Sequence, residues 1–232
     1  MKKPPRKGEV RVLYEDDAVV ALDKPAGLSS VPIHKNTSTP SALSVLAASL
    51  AEERRKPFVV HRIDRFTSGV LLFAKTERDR EALIQQFLEH TPVREYLAVV
   101  RGKLASPKET LVHYFRREGM FQKLRPSNDP TATRAELRYT LEKPLQDASL
   151  VRVELVTGLQ NQIRVQFSAI GNPVVGDRKY HPAEASETHI DRVALHAARL
   201  RFIHPRTSKP VTVECPPPAD FRNLVQALST KR

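Results

Sequence analysis

Short apolar runs bounded by turn-forming residues dominate this chain, and helical spacing of apolar positions appears in only a few stretches. Residues 10–14 and 18–23 read as strands joined by the acidic turn Glu15-Asp16-Asp17, and the Pro-, Ser- and Thr-rich stretch 24–40 reads as a loop. Leu43, Leu46, Ala47 and Leu50 share one helical face, which predicts a helix over 41–54 with Ser41 as N-cap. Residues 58–60 and 70–75 read as strands. Thr76 and Asp79 then open a helix through residue 90 that buries Leu83 and Phe87. A strand at 94–101 closes on Gly102, and strands follow at 134–141 and 149–157. The stretch between them, 103–133, is polar, carries Pro107, Pro126 and Pro130, and reads as an irregular surface insertion with a hairpin around 111–115. A helix at 161–170 stops at Gly171, residues 181–191 are loop-like, and 193–202 fits helix and strand equally. A strand at 211–215 leads through Pro216-Pro217-Pro218 into a last helix over 220–228. Strands outnumber helices without alternating with them. That predicts an α+β fold with a mixed, mostly antiparallel central sheet flanked by helices, rather than a doubly wound one.

Composition narrows the class. With 232 residues, 40% hydrophobic and 28% charged, the chain is long enough for a real core, as one domain or one domain of two lobes. We assign that domain to 10–232 and a basic arm, with Lys2, Lys3, Arg6 and Lys7, to 1–9. No apolar run approaches the roughly 18 residues of a membrane span, and residues 1–8 lack the apolar core of a secretory signal. A cytoplasmic protein without membrane attachment is expected, with a monomer as the default and no protein partner implied. A single cysteine, Cys215, excludes an internal disulfide and any multi-cysteine zinc site; in its apolar strand it reads as a small buried side chain. His181, His189, His196 and His204 are too widely spread to signal a metal site. There is no GxGxxG, phosphate loop, GxSxG or HExxH, so no cofactor and no metal is expected.

Charge changes the picture most. The formal net charge of +12 suits a phosphate-bearing polymer, although a surface charged for solubility explains it as well. An aromatic content of 6% with no Trp argues against a long stacking platform for single strands. The richest chemistry lies in His61-Arg62-Ile63-Asp64-Arg65-Phe66-Thr67-Ser68-Gly69. Arginines on both sides of Asp64 favour its ionised form, and an ionised carboxylate can act as nucleophile or electrostatic stabiliser. Thr67 and Ser68 can hydrogen-bond the turn, and Gly69 allows a positive φ or a close approach. From the residues alone, a surface loop locked by a salt bridge accounts for the pattern equally well.

This stretch resembles the HRLDRxTSG motif of the RluA family of pseudouridine synthases, with Ile63 in place of Leu. Tyr14-Glu15-Asp16-Asp17 with Asp23-Lys24-Pro25-Ala26-Gly27-Leu28 is similar to the family's opening motif, and Arg94-Glu95-Tyr96-Leu97-Ala98-Val99-Val100-Arg101-Gly102 to its tyrosine strand. Gly158 to Val165 and Gly171-Asn172-Pro173-Val174-Val175-Gly176-Asp177 resemble its GRTHQIRVH and GHPIxGD block, and Leu195-His196-Ala197 through His204-Pro205 its LHAxxLxFxHP motif. The resemblance implies a pseudouridine synthase-like catalytic domain with a central cleft, isomerising uridine to pseudouridine in ribosomal or transfer RNA without a cofactor. It makes Asp64 the essential carboxylate, attacking C6 of the base or assisting at the ribose. Tyr96 would take the C5 proton, and Arg164 would pair with Asp64. Arg62 would fill the gap left by a flipped uridine, and His61, Arg65, Thr67, Ser68 and Gln162 would join it on the RNA. The sequence departs from the family at Gly158-Leu159-Gln160-Asn161-Gln162-Ile163-Arg164, where the arginine, threonine and histidine after the glycine are replaced, and at Gln166, where the pattern has a second histidine. That departure keeps open an RNA-binding protein of the same fold without turnover. Too few residues precede the first motif for an S4-like RNA-binding domain, so RNA affinity is expected from the catalytic domain. Within it, Arg116, Arg117, Lys123, Arg125 and Arg134 of 103–133 and its border make a candidate lid or clamp, and a solvated loop accounts for them equally well.

Overall fold

The computed structural model describes residues 10–33, 39–51, 56–182 and 189–229. The expected basic arm, 1–9, and the expected helix end at 52–54 lie outside the described residues. Among these, eleven strands and four helices fall into two compact units, Met1–Val93 with Ala197–Pro216 and Arg94–His196 with Pro217–Arg232.

In the first unit β1 (Arg11–Glu15), β2 (Val19–Lys24), β4 (Ser68–Ala74) and β10 (Leu195–Ile203, in this unit from Ala197 on) are successive sheet neighbours. β3 (Phe58–Val59) pairs with β4, and β11 (Pro210–Glu214) pairs antiparallel with β10. Every residue of β4 is buried, as are five of the six in β2, so both read as continuous apolar runs rather than alternating ones. Their core joins Val19, Ala21, Val70, Leu72, Leu83, Leu200, Phe202, Val213 and Cys215. Helix α1 (Ala42–Leu50) starts with the expected cap: Ser41 Oγ accepts from Ser44 N–H, and Ser44 Oγ accepts from Ser41 N–H at 2.8 Å. Thr76 caps α2 (Glu77–Leu88): its Oγ1 accepts from Asp79 N–H at 3.2 Å and donates to Asp79 Oδ2 at 2.6 Å. Burial raises the Cys215 thiol well above its ordinary value, which fits an inert core side chain rather than a nucleophile.

In the second unit β5 (Val93–Arg101, from Arg94 on), β9 (Ala148–Leu155), β8 (Thr133–Leu145), β6 (Lys108–Glu118) and β7 (Phe121–Arg125) follow one another as antiparallel neighbours. The irregular insertion expected at 103–133 is therefore corrected: most of it is β6 and β7, and β6 pairs with β8 from Lys108↔Thr140 to Phe115↔Thr133. Only Leu111 and Phe115 of β6 are buried, so the alternation that marks a half-buried strand is hidden among lysines and arginines. Helix α3 (Gln162–Ala169) is buried from Gln162 to Phe167, and Val165 packs with Phe115 and Ala135. The segment that fitted helix and strand equally is strand β10, and α4 (Ala219–Ser229) closes the second unit. Among the described residues no helix is long and apolar enough to cross a membrane.

Candidate active site

In the first unit the Asp64 segment is a loop entering β4, stapled to the loop after β2. Residues 65 and 66 form a turn in which Thr67 N–H donates to Asp64 O at 3.1 Å. Lys24 is fully buried, and its Nζ donates to Pro25 O (3.0 Å), Leu28 O (2.7 Å) and Arg65 O (3.1 Å). Gly27 and Arg65 bond reciprocally: Gly27 N–H donates to Arg65 O, and Arg65 Nε donates to Gly27 O at 2.9 Å. Ser30 Oγ donates to Ile63 O at 2.7 Å and accepts from Ile63 N–H at 3.2 Å. Both backbone groups just before Asp64 are thus fixed. Three donors on one buried ammonium thus tie the carbonyls of both loops together.

Around that frame the motif sorts by exposure. Asp64 is half-buried, and Arg62, Arg65 and Phe66 are exposed. Arg62 has no hydrogen bond or ion pair to any described residue, whereas Arg65 lies over the Phe66 ring at 5.4 Å. The side chains of Thr67 and Ser68, expected on RNA, are buried, and Thr67 Oγ1 has no hydrogen-bond partner among the described residues. His61, also expected on RNA, is committed to the fold. Its ring stacks on Phe87 at 4.7 Å, and its Nε2 accepts from Leu72 N–H at 3.1 Å. Gly69 has φ +112°, and a Cβ there would lie 2.1 Å from Ala197 O. Glycine is required both for the backbone turn out of the motif and for the approach of β10.

A polar network pins the ends of the same sheet. His204 Nδ1 accepts from the N–H groups of Arg206 and Thr207, so its Nε2–H donates to Asp16 Oδ2 at 2.9 Å. Asp16 also accepts from Tyr14 OH (2.6 Å) and from Ala18 and Val19 N–H. Arg206 grips Asp79 at the start of α2 through Nε and Nη2. Burial pushes both carboxyls up, but Tyr14 and the Ala18 and Val19 amides at Asp16, and Arg206 and Thr76 at Asp79, outweigh it and hold both below the ordinary value.

In the second unit Tyr96 lies on β5 opposite Val153 and is 8% exposed. Two residues earlier on the same strand face, Arg94 Nη2 donates to Leu155 O and Val156 O. Burial lowers its guanidinium below the ordinary arginine value, against an opposing effect from Tyr96. Gly158 makes room for it, since a Cβ there would stand 2.4 Å from Arg94 Nη1.

Arg164 is 7% exposed on α3 and held on three sides. Its Nε and Nη2 donate to Asp177 Oδ2 and Oδ1 at 2.8 and 2.6 Å, and its Nη1 donates to Asn161 Oδ1 at 2.8 Å. Its guanidinium carbon lies 5.2 Å from the Tyr180 ring centre. Gln162, expected at the RNA, is instead interior and saturated. It accepts from Thr157 Oγ1 and Leu159 N–H, and it donates to Glu136 O and Gln166 Oε1. Gln166, at the position of a family histidine, is fully buried and donates to Leu111 O on β6 and Ala135 O on β8. Gln162 keeps the family's residue, and the departure at Gln166 is an interior packing choice. Sequence reasoning named Asp177 and Lys24 only as motif letters and gave Asn161 and Tyr180 no role. Each bonds to a partner that only the folded chain brings near.

The candidate clamp of 103–133 spends most of its charge internally. Arg116, Lys123 and Arg125 all pair with Glu118, Arg134 pairs with Glu136, and Arg138 pairs with Glu136 and Glu154. By strand alternation these groups share one sheet face. Among the described residues no group of three or more His, Cys, Asp or Glu could hold a metal ion.

Residues 18–169, more than half of the chain, match the family model described as RNA pseudouridylate synthase. The chain is 34% identical over 230 residues to ribosomal large subunit pseudouridine synthase D of Zymomonas mobilis, covering 94% of this chain and 73% of that protein. It is 32% identical over 236 residues to ribosomal large subunit pseudouridine synthase C of Escherichia coli, covering 95% and 70%. In fold it is similar to human RNA pseudouridylate synthase domain containing 4, with a TM-score of 0.76 at 20% identity over 94% of this chain and 92% of that one.

Proposed function

We propose, for a chain that belongs to the RNA pseudouridylate synthase family and is an RNA-modifying isomerase, that Asp64 is the carboxylate on which the reaction turns and that the substrate is large-subunit ribosomal RNA. The observation that carries the first part is the frame around Asp64. Lys24, Ser30 and Gly27 fix the backbone on either side of a half-buried carboxylate, beside an exposed Arg62 that no described residue engages. The second part rests on the ribosomal large subunit named in the relatives.

The reaction is a rearrangement without net redox change. The bond from N1 to the ribose C1′ breaks, uracil turns, a bond from C5 to C1′ forms, C5 loses its proton and N1 gains one. Asp64 acts in its ionised form, at C6 of the base or at the ribose carbon. Tyr96 receives the C5 proton. A phenol is a weak base near neutrality, so desolvation and placement supply what its basicity lacks. Arg164 keeps the carboxylate charged. Arg62, a planar cation, stands in the stack for the extruded base. Arg65 meets the backbone, whereas His61, Thr67, Ser68 and Gln162 serve by shaping the loop and α3. In this reading the protein is a cytoplasmic monomer acting without a protein partner.

The test is tritium release from transcripts of large-subunit ribosomal RNA labelled at uridine C5, with a transfer RNA pool as the other arm. Asp64→Ala is expected to abolish release while keeping most RNA affinity, because phosphate contacts dominate binding. Wild-type release by Asp64→Ala removes the assignment, and release confined to transfer RNA removes the substrate.

A further inference from the structure

We infer that Asn161, at a position where this chain departs from its family's pattern, and Asp177 are positioning residues that fix the Arg164 guanidinium before RNA arrives. This rests on the catalytic place given above to Arg164. A long arginine side chain samples many rotamers, and a charge that must meet a reacting carboxylate gains by being fixed in advance. The two carboxylate oxygens of Asp177 take Nε and Nη2 side-on, which sets the guanidinium plane. Asn161 Oδ1 takes Nη1 and sets the rotation that a single carboxylate leaves loose.

Both holders are themselves held. Asp177 is fully buried, and its Oδ1 also accepts from Lys179 N–H (3.0 Å) and Tyr180 N–H (3.1 Å). It follows Gly176, whose φ is +77° and whose Cβ would stand 2.2 Å from Arg192 O. Arg192 in turn grips Asp220 near the start of α4 at 2.6 and 3.0 Å. Asn161 sits at φ +56° at the head of α3, a left-handed conformation that asparagine adopts more readily than most residues. Its side chain makes no capping bond to the helix; it reaches forward to Arg164 and, through Nδ2, to Tyr180 OH at 3.2 Å. A residue that opens a helix this way and spends its side chain on an arginine one turn later is placed for that arginine.

Asn161→Gly tests this directly, because glycine keeps the left-handed backbone and removes only the side chain. Asn161→Asp restores an acceptor, Asp177→Asn removes the charge of the side-on pair, and Arg164→Lys is the control for the reading beneath. Tritium release gives kcat and KM, filter binding gives RNA affinity, and thermal melting gives the folded fraction. For groups that orient a site residue, losses of about tenfold to a hundredfold are expected. Asn161→Gly and Asp177→Asn should therefore lower kcat by that order with KM and RNA affinity near wild type, and Asn161→Asp should recover most of what Asn161→Gly loses. If Asp177→Asn does not fold, the two Asn161 variants decide. Wild-type kcat in Asn161→Gly, or a fall matching its folded fraction, overturns the inference while Arg164→Lys stays impaired. Wild-type turnover in Arg164→Lys overturns the catalytic place of Arg164 itself.

Discussion

Replacing Gly69 by alanine adds one methyl group where the chain leaves the Asp64 turn and enters β4. The cost has two separable parts. First, φ at this residue is +112°, outside the regions open to L-residues with a Cβ, and such strain costs about 1–3 kcal/mol. Second, the new Cβ would lie 2.1 Å from Ala197 O and 2.7 Å from Ala197 C, backbone atoms that cannot swing aside as a side chain end would. The neighbouring strand must move by more than an ångström, on the order of the gap between 2.1 Å and an ordinary contact. That shift weakens one or two ladder hydrogen bonds, at about 1 kcal/mol each. The sum is ~2–5 kcal/mol, a large share of the ~5–15 kcal/mol that stabilises a typical domain. Urea titration followed by circular dichroism should show a midpoint lowered accordingly. Tritium release per folded molecule should fall as well, because Gly69 follows Asp64 along a loop whose other contacts are fixed. Gly69→Ala with an unchanged midpoint would refute the claim that Ala197 demands glycine here.

Two further outcomes follow from the charges. Asp16 and Asp79 have folded-state values below those of an unfolded carboxyl, so their contribution is present above the unfolded value near 4 and is lost as pH falls through the lower folded values. Asp79→Asn should therefore destabilise the protein at neutral pH and flatten the loss of stability in acid, as urea midpoints between pH 7 and pH 3 will show; parallel pH curves for the two proteins contradict it. Arg62→Gln should reduce the slope of log affinity against log salt for RNA by roughly one. Arg138→Gln, whose cation is spent on Glu136 and Glu154, should leave that slope unchanged.

What was legible in the sequence was whatever announces itself locally. The unbroken apolar runs of β2 and β4, the Ser41 and Thr76 caps, and Gly171 after α3 carry their own cause within a few residues. The extent of the β6–β7 hairpin, expected only around 111–115, was hidden for a physical reason. The hairpin's buried face shows only Leu111 and Phe115, and on its other face Arg116, Lys123 and Arg125 gather on Glu118, so the stretch reads as polar. Strand β10 was undecidable because its helical and strand patterns coincide until pairing with β11 selects one. Within the candidate site, the motif located Asp64. It could not tell that His61 and Gln162 face inward, because a polar side chain's direction depends on groups such as Leu72 N–H and Glu136 O, which are brought by other strands.

The same distinction bears on the +12 charge, which first suggested a phosphate-bearing partner. On the sheet face of the second unit the surplus of cations is smaller than their number: Arg116, Lys123 and Arg125 share Glu118, and Arg134 and Arg138 meet Glu136 and Glu154. A cation already paired releases fewer counterions when RNA approaches. What attracts RNA must be a cation whose field is not cancelled nearby. Arg62 is such a group among the described residues, and it adjoins the carboxylate assigned to the chemistry. Arg164 is the opposite case: its charge is buried and its plane is fixed by Asp177. A net charge therefore cannot rank arginines by role. Removing an exposed, uncommitted one should change affinity and its salt dependence, whereas loosening a buried, clamped one should change turnover at constant affinity. The Arg62 and Asn161 substitutions separate these two outcomes in one protein.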